Sequence, residues 1–156
     1  MIITQGDLLE LADRGKFDII VQGCNCQHTM GSGIARQLRD KWPEVYEADL
    51  AMGGAPEDRL GQYSLATVFG SLGKFLVVNA YTQLHYLPRG IDHFEYEHFR
   101  SILSALLVKY GNYDFGLPLI GCGLAGGDSK RILAILQAFS SEVSSRGGSV
   151  TIVEYK

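Results

Sequence analysis

The sequence predicts an α/β fold, a three-layer α/β/α sandwich built on a central mixed, mostly parallel sheet, in one domain over residues 1–156. Three observations carry this. Compact β-branched and aromatic runs alternate along the chain with segments whose apolar residues recur at helical spacing. The runs FDIIVQG and FGLPLIG are apolar nearly throughout, as strands covered on both faces are. Two further runs, YSLATVF and FLVVNAYT, are joined through residues 70–73 and read as a hairpin, which makes the sheet mixed.

The elements follow in order. Residues 1–4 form a short apolar strand, and Asp7 precedes LLELADRG, where Leu8, Leu11 and Ala12 share a helical face and Gly15 stops the helix. FDIIVQG is a buried strand that ends in the loop GCNCQHTMGSG. IARQLRDKW is an amphipathic helix, Pro43 breaks it, and EVYEADLAM forms a second helix. GGAPEDRLG reads as turn chemistry before the hairpin. Asp92 can cap the helix HFEYEHFRSILSALLVKYG, FGLPLIG is the next buried strand, and RILAILQAFSSEVSSRG is a periodic helix that Gly147 ends before the last strand, SVTIVEY.

Composition narrows the function. A chain of 156 residues can bury a core without disulfides or metal, and its formal charge of −3 supplies no field for a nucleic-acid backbone. Broad nucleic-acid binding is therefore not expected. Neither a signal peptide nor an apolar run near the roughly 20 residues of a membrane span is present, so a cytoplasmic protein without membrane partners is expected. Cys24, Cys26 and Cys122 lack zinc-site spacing and read as small buried thiols, with no metal site.

Glycine is the outlier, with 19 residues against a usual share of about 7%. Gly121, Gly123 and Gly126 spell G-x-G-x-x-G between a strand and a helix, where main-chain amides and a helix N-terminus can converge on a diphosphate. A tight turn with no ligand is the plain alternative. The same spacing marks the Rossmann dinucleotide site, and Glu154 ends the next strand where a ribose-binding carboxylate would stand. A Rossmann domain needs more βαβ units than follow here. Met30, Gly31, Ser32 and Gly33 open another helix, with Ser32 able to bond a phosphate or cap the helix. Both loops leave strands at one sheet edge and should face one crevice. Asn25 can bond a ribose hydroxyl or form a turn, and Asp7 can accept from a base amine or cap its helix.

Together, Gln5-Gly6-Asp7, the strand IIVQGCNCQ, the loop HTMGSGIA and the segment GLPLIGCGLAGGD resemble a macrodomain across nearly the whole chain. The similarity is greatest to the small stand-alone branch that includes ADP-ribose-1″-phosphate phosphatases and hydrolases of ADP-ribosyl or acyl-ADP-ribose esters. The resemblance implies that Asp7, with Leu8 beside it, receives the adenine amine, and that Asn25 holds the distal ribose. It implies that Met30, Gly31, Ser32, Gly33 and Ile34 wrap that ribose and its phosphate. Gly121, Cys122, Gly123, Leu124, Ala125 and Gly126 would offer amides to the diphosphate. Tyr81 would lie near the distal ribose or adenine, with core packing as the alternative.

One hydrolase branch of the resemblance uses a lysine after the NAYT-like strand and an aspartate after the GCGL-like motif. Here those places hold Gln83, Leu84 and His85, and Ala125, so that chemistry is not expected. Asn25, His28 and Asp128 remain as catalytic candidates, with His85 near them, to orient water or protonate a leaving oxygen. The expected reaction is removal of the 1″-phosphate from ADP-ribose 1″-phosphate, with no cofactor and no metal. The alternatives are release of ADP-ribose from a modified protein, nucleic acid or acyl ester, and a module that binds ADP-ribose without turnover.

Overall fold

A computed structural model describes the chain except Ser32, residues 88–90, residues 122–125 and Lys156. The described strands are β1 (Ile2–Gly6), β2 (Ile19–Asn25), β3 (Tyr63–Gly70), β4 (Gly73–Gln83), β5 (Asp114–Leu117) and β6 (Ser149–Tyr155). They form one sheet in the order β1-β6-β5-β2-β4-β3. All neighbours run parallel except β3, which pairs antiparallel with β4 in the expected hairpin. The helices are α1 (Leu8–Asp13), α2 (Gly33–Lys41), α3 (Pro43–Ala51), α4 (Pro56–Arg59), α5 (Tyr96–Tyr110) and α6 (Ser129–Ser145).

The sheet separates two apolar layers. On one face α5 and α6 bury Phe99, Leu106, Ile132, Leu136 and Phe139 against Ile19, Val78 and Phe115. On the other, α1, α2 and α3 bury Leu9, Leu38, Trp42 and Val45 against Ile20, Val77 and Tyr81. Side chains from β2 and β4 go alternately to both layers, which is why these strands read as unbroken apolar runs. Burying each of the larger side chains is worth about 2–3 kcal/mol, so the three layers stabilise one another.

Local chemistry explains most boundaries. Asp7 caps α1, its Oδ1 accepting from the amides of Leu9 and Glu10 at 3.0 and 3.2 Å. Pro43 stands in the first turn of α3, where a missing N–H costs nothing. Asp128 caps α6 by accepting from the Lys130 amide at 3.0 Å.

Three expectations are corrected. PEDRLG is more than a turn, because Pro56–Arg59 forms the short helix α4 and Arg59 turns inward to donate to the carbonyls of Met52, Gly54 and Cys26. Asp92 does not cap α5, which begins at Tyr96. Its carboxylate instead accepts from the Phe94 amide at 3.0 Å and the Tyr96 hydroxyl at 2.6 Å. The strand within FGLPLIG is confined to Asp114–Leu117, because Pro118 has no N–H for the ladder.

Candidate functional site

Because β1, β6, β5, β2 and β4 run parallel, Gly6, Tyr155, Leu117, Asn25 and Gln83 all end at one edge of the sheet. That edge is where crossovers leave a crevice. A cavity of about 490 Å³ opens there, within the size of small-molecule sites. Asp7 and Leu8 line it from the start of α1, Gly33, Ile34 and Gln37 from α2, Pro118 and Leu119 from beyond β5, and Glu154 and Tyr155 from the end of β6. The surface is mostly apolar, two carboxylates stand in it, and no lysine or arginine is among its described lining residues. An apolar wall with an acceptor suits a base carrying an amine.

Sequence reasoning named Asp7, Leu8, Gly33 and Ile34, and the structure brings all four together here. It did not name Gln37, Leu119 or Tyr155. Leu119 and Tyr155 join Asp7 only when β6 pairs with β1 and β5, whereas Gln37 stands one turn beyond Gly33 and Ile34 on α2, a spacing the sequence carried. Asp7 serves as cap through Oδ1 and also lines the cavity, so its two readings are compatible.

The loop after β2 is built on Asn25. Register between β2 and β4 slips after Cys24, so that Cys24 faces Tyr81 and Asn25 faces Gln83, and this bulge re-aims the strand end. Asn25 Oδ1 accepts from the Gln27 amide at 2.8 Å and its Nδ2 donates to the Thr29 carbonyl at 3.1 Å, an Asx turn that shapes the route to α2. Gln27 ties this loop to the end of β4, donating to the Leu84 carbonyl at 3.0 Å and lying 3.4 Å from His85 Nδ1. Gly33 enters α2 at φ +59 with open space where a side chain would stand. Met30 is buried and Gly31 is exposed.

The second glycine turn is described at its ends. The Gly127 amide donates to the Gly121 carbonyl at 2.7 Å, closing the turn at its base. Gly121 packs against Phe94. Gly126 has φ +72, and a Cβ on it would sit 2.7 Å from the Ile91 carbonyl oxygen. The loop through residues 91–96 therefore requires glycine at these ends. Tyr96 clasps it, accepting from the Asp128 amide at 2.8 Å while the Arg131 guanidinium stacks 3.6 Å above its ring. Desolvation raises the Tyr96 hydroxyl above its ordinary pKa, keeping it a donor to Asp92. Ser32, Cys122, Gly123, Leu124 and Ala125, all expected to touch ligand, lie outside the described residues.

Tyr81 is placed otherwise than the resemblance implied. It is fully buried, and its hydroxyl lies 2.9 Å from Ser64 Oγ and donates to Asp49 Oδ1 at 2.7 Å, so it packs the core. Burial raises its pKa well above the ordinary value and keeps it protonated. Cys24 and Cys26 are buried thiols as expected. Desolvation raises both, Cys26 to about 11, so neither is a thiolate near neutrality. Among the described residues no cluster suited to a metal ion and no helix long and apolar enough to cross a membrane is found.

The fold has known counterparts. The macrodomain of Mycobacterium tuberculosis DarG superposes with a TM-score of 0.73 at 21% identity, covering 97% of each chain. Thermosipho africanus DarTG, solved in complex with ADP-ribose, superposes with a TM-score of 0.76 at 17% identity over 99% of this chain and 42% of that one. This chain has the macrodomain fold. It belongs to one family with an uncharacterised 17.5 kDa protein from the tk-vs intergenic region of Enterobacteria phage T4, to which it is 35% identical over 147 residues, 89% of each chain. No family model matches the sequence. Within that fold, the crevice lies at the sheet edge where both glycine turns begin.

Proposed function

We propose that this macrodomain binds ADP-ribose or a close derivative at the carboxyl edge and hydrolyses the 1″-phosphate of ADP-ribose 1″-phosphate. The observation that carries the binding is the cavity that joins Asp7, the start of α2 and the exit of β5. Its apolar end with Asp7 suits adenine. Its lack of a basic side chain among the described lining residues means that a diphosphate there relies on main-chain amides of the two glycine turns. The presence of ADP-ribose in the DarTG structure supports this choice of ligand. For the chemistry, Asn25, His28 and Asp128 are the candidates, with water as nucleophile.

The test is calorimetry with ADP-ribose, its 1″-phosphate, NAD and ATP, followed by phosphate release from the 1″-phosphate. ADP-ribose binding tighter than NAD or ATP, with phosphate released, is the expected result. Absence of ADP-ribose binding would refute the reading.

A second reading, binding without turnover, has an observation in its favour. Asn25 and Asp128 already spend their side chains on a local turn and a helix cap. Tight ADP-ribose binding with no product from the 1″-phosphate, from ADP-ribosylated protein or nucleic acid, or from acyl esters would select it.

A further inference from the structure

A chain of buried hydrogen bonds runs from the middle of the sheet to the loop after β2, its directions set by the Val45 carbonyl at one end and the Asp49 carboxylate at the other. Asn79 Nδ2 donates to the Val45 carbonyl at 3.0 Å, and since a carbonyl only accepts, the amide orientation is fixed. Its Oδ1 then accepts from Gln22 Nε2 at 2.8 Å, and its second N–H goes to Ser64 Oγ at 3.1 Å. The Tyr81 hydroxyl, whose one hydrogen the Asp49 carboxylate takes, accepts from Ser64 Oγ at 2.9 Å. Tyr81 passes its hydrogen to Asp49 Oδ1 at 2.7 Å. The same oxygen lies 3.2 Å from His28 Nδ1. A carboxylate oxygen that already accepts from Tyr81 can only accept again, so Nδ1 carries the hydrogen and Nε2 of the neutral ring carries the lone pair.

Two further features single out His28. Among the described residues it is the one non-glycine residue with positive φ, at 54°, and the Tyr46 hydroxyl holds its strained peptide by donating to the His28 carbonyl at 3.0 Å. Asp49 is almost wholly buried, whereas the His28 side chain keeps 24% of its surface open, three residues beyond Asn25 at the carboxyl edge.

We propose that Asp49 is a positioning residue that fixes His28 in the Nδ1–H tautomer, with Nε2 as the general base for the attacking water. The inference rests on the hydrolase reading. Water gives a proton to Nε2 as its oxygen bonds to phosphorus, and the bond from phosphorus to the oxygen on C1″ breaks. That leaving oxygen takes the proton back from Nε2, giving ADP-ribose and orthophosphate. Asp49 takes no proton and stabilises the imidazolium formed between the two transfers.

Nitrogen-15 NMR distinguishes the tautomers directly, with His28 assigned among the four histidines by its substitution. Wild-type protein should show the neutral His28 ring as Nδ1–H. The double variant Asp49→Leu with Tyr81→Phe removes the carboxylate and its Tyr81 donor together, so that the Ser64 hydroxyl, which loses Tyr81 as acceptor, is the group left to re-pair. It should revert to Nε2–H and lose about 100-fold in kcat with KM within about twofold. Asp49→Asn can keep an acceptor oxygen toward Nδ1–H but brings no charge to the imidazolium, so it should keep the tautomer and recover only part of the rate lost in the double variant. An Nε2–H ring in the wild type, or wild-type kcat in the double variant, overturns the proposal. If the double variant does not fold, the wild-type tautomer decides. A wild type that binds ADP-ribose with the expected tautomer but releases no phosphate refutes the hydrolase reading, and the base role with it, while leaving the bonding assignment intact.

Discussion

At the scale of single residues, Asp7 shows how one side chain meets two demands. Its Oδ1 satisfies two amides of α1 and the residue also lines the cavity, so substitutions can separate the roles. Asp7→Asn keeps a good cap and should leave stability unchanged within a few tenths of a kcal/mol, yet weaken ADP-ribose binding about tenfold through loss of a charged acceptor. Asp7→Ala should lose both, with about 1 kcal/mol of stability gone. Urea unfolding and calorimetry on the two variants measure the difference. Equal ADP-ribose affinity in all three proteins would remove Asp7 from the site. The cysteines invite a chemical check. With its thiol at about 11 and its side chain buried, Cys26 should resist iodoacetamide at pH 8 in the native protein and react readily in urea, as read by peptide mass. Rapid native labelling would contradict the buried placement. The composition of the chain made buried thiols the expected reading. It gave no hint that Asp49 is buried, because an aspartate in a helix without tertiary contacts belongs on the surface.

At the scale of elements, the turns and caps depend on contacts made by neighbours. Gly126→Ala places a methyl carbon against the Ile91 carbonyl in a left-handed backbone, and neither group can move aside as a flexible side chain would. A loss of about 2 kcal/mol is expected in urea unfolding, and an unchanged midpoint would mean that residues 91–96 do not pack on this turn. The β3–β4 hairpin is fastened to the end of α1 by Asp13, whose carboxylate accepts from the hydroxyl and amide of Ser71 at 2.7 and 3.0 Å. Those bonds hold its pKa below the ordinary 3.8. A depressed carboxylate adds stability that is present above 3.8 and disappears as pH falls through the folded-state value. Melting temperatures of wild type and Asp13→Asn should therefore differ near neutrality and converge below pH 3.8, the group being exposed and the effect small. Curves that stay parallel to low pH would exclude this origin. The same elements show where sequence reading stopped. Asp7 and Pro43 announce their helices through local chemistry, whereas Asp92 has the right residue type for a cap and bonds Tyr96 instead, a ring that Asp128 and Arg131 hold from the start of α6.

At the scale of the whole molecule, the formal charge of −3 and the absence of basic side chains among the described lining residues of the cavity lead to one expectation. Binding held by oriented amides, with no mobile counter-charges, should depend weakly on salt. Raising the salt from 50 to 500 mM should change the ADP-ribose Kd by less than about fivefold, whereas a ligand held by lysines or arginines would show a steeper fall. Alternation of strands and helices, the hairpin, Asp7 as cap and the two glycine loops were determined by the sequence alone, because hydrophobic period, capping and glycine chemistry act over a few residues. Which strand lies beside which, and therefore that Glu154, Tyr155 and Leu119 share a cavity with Asp7, was decided only by tertiary structure. So were the burial of Tyr81 and the bond from Asp49 to His28. These depend on pairings between residues far apart in the chain, whose free energy comes from excluding water between surfaces that local sequence does not bring together.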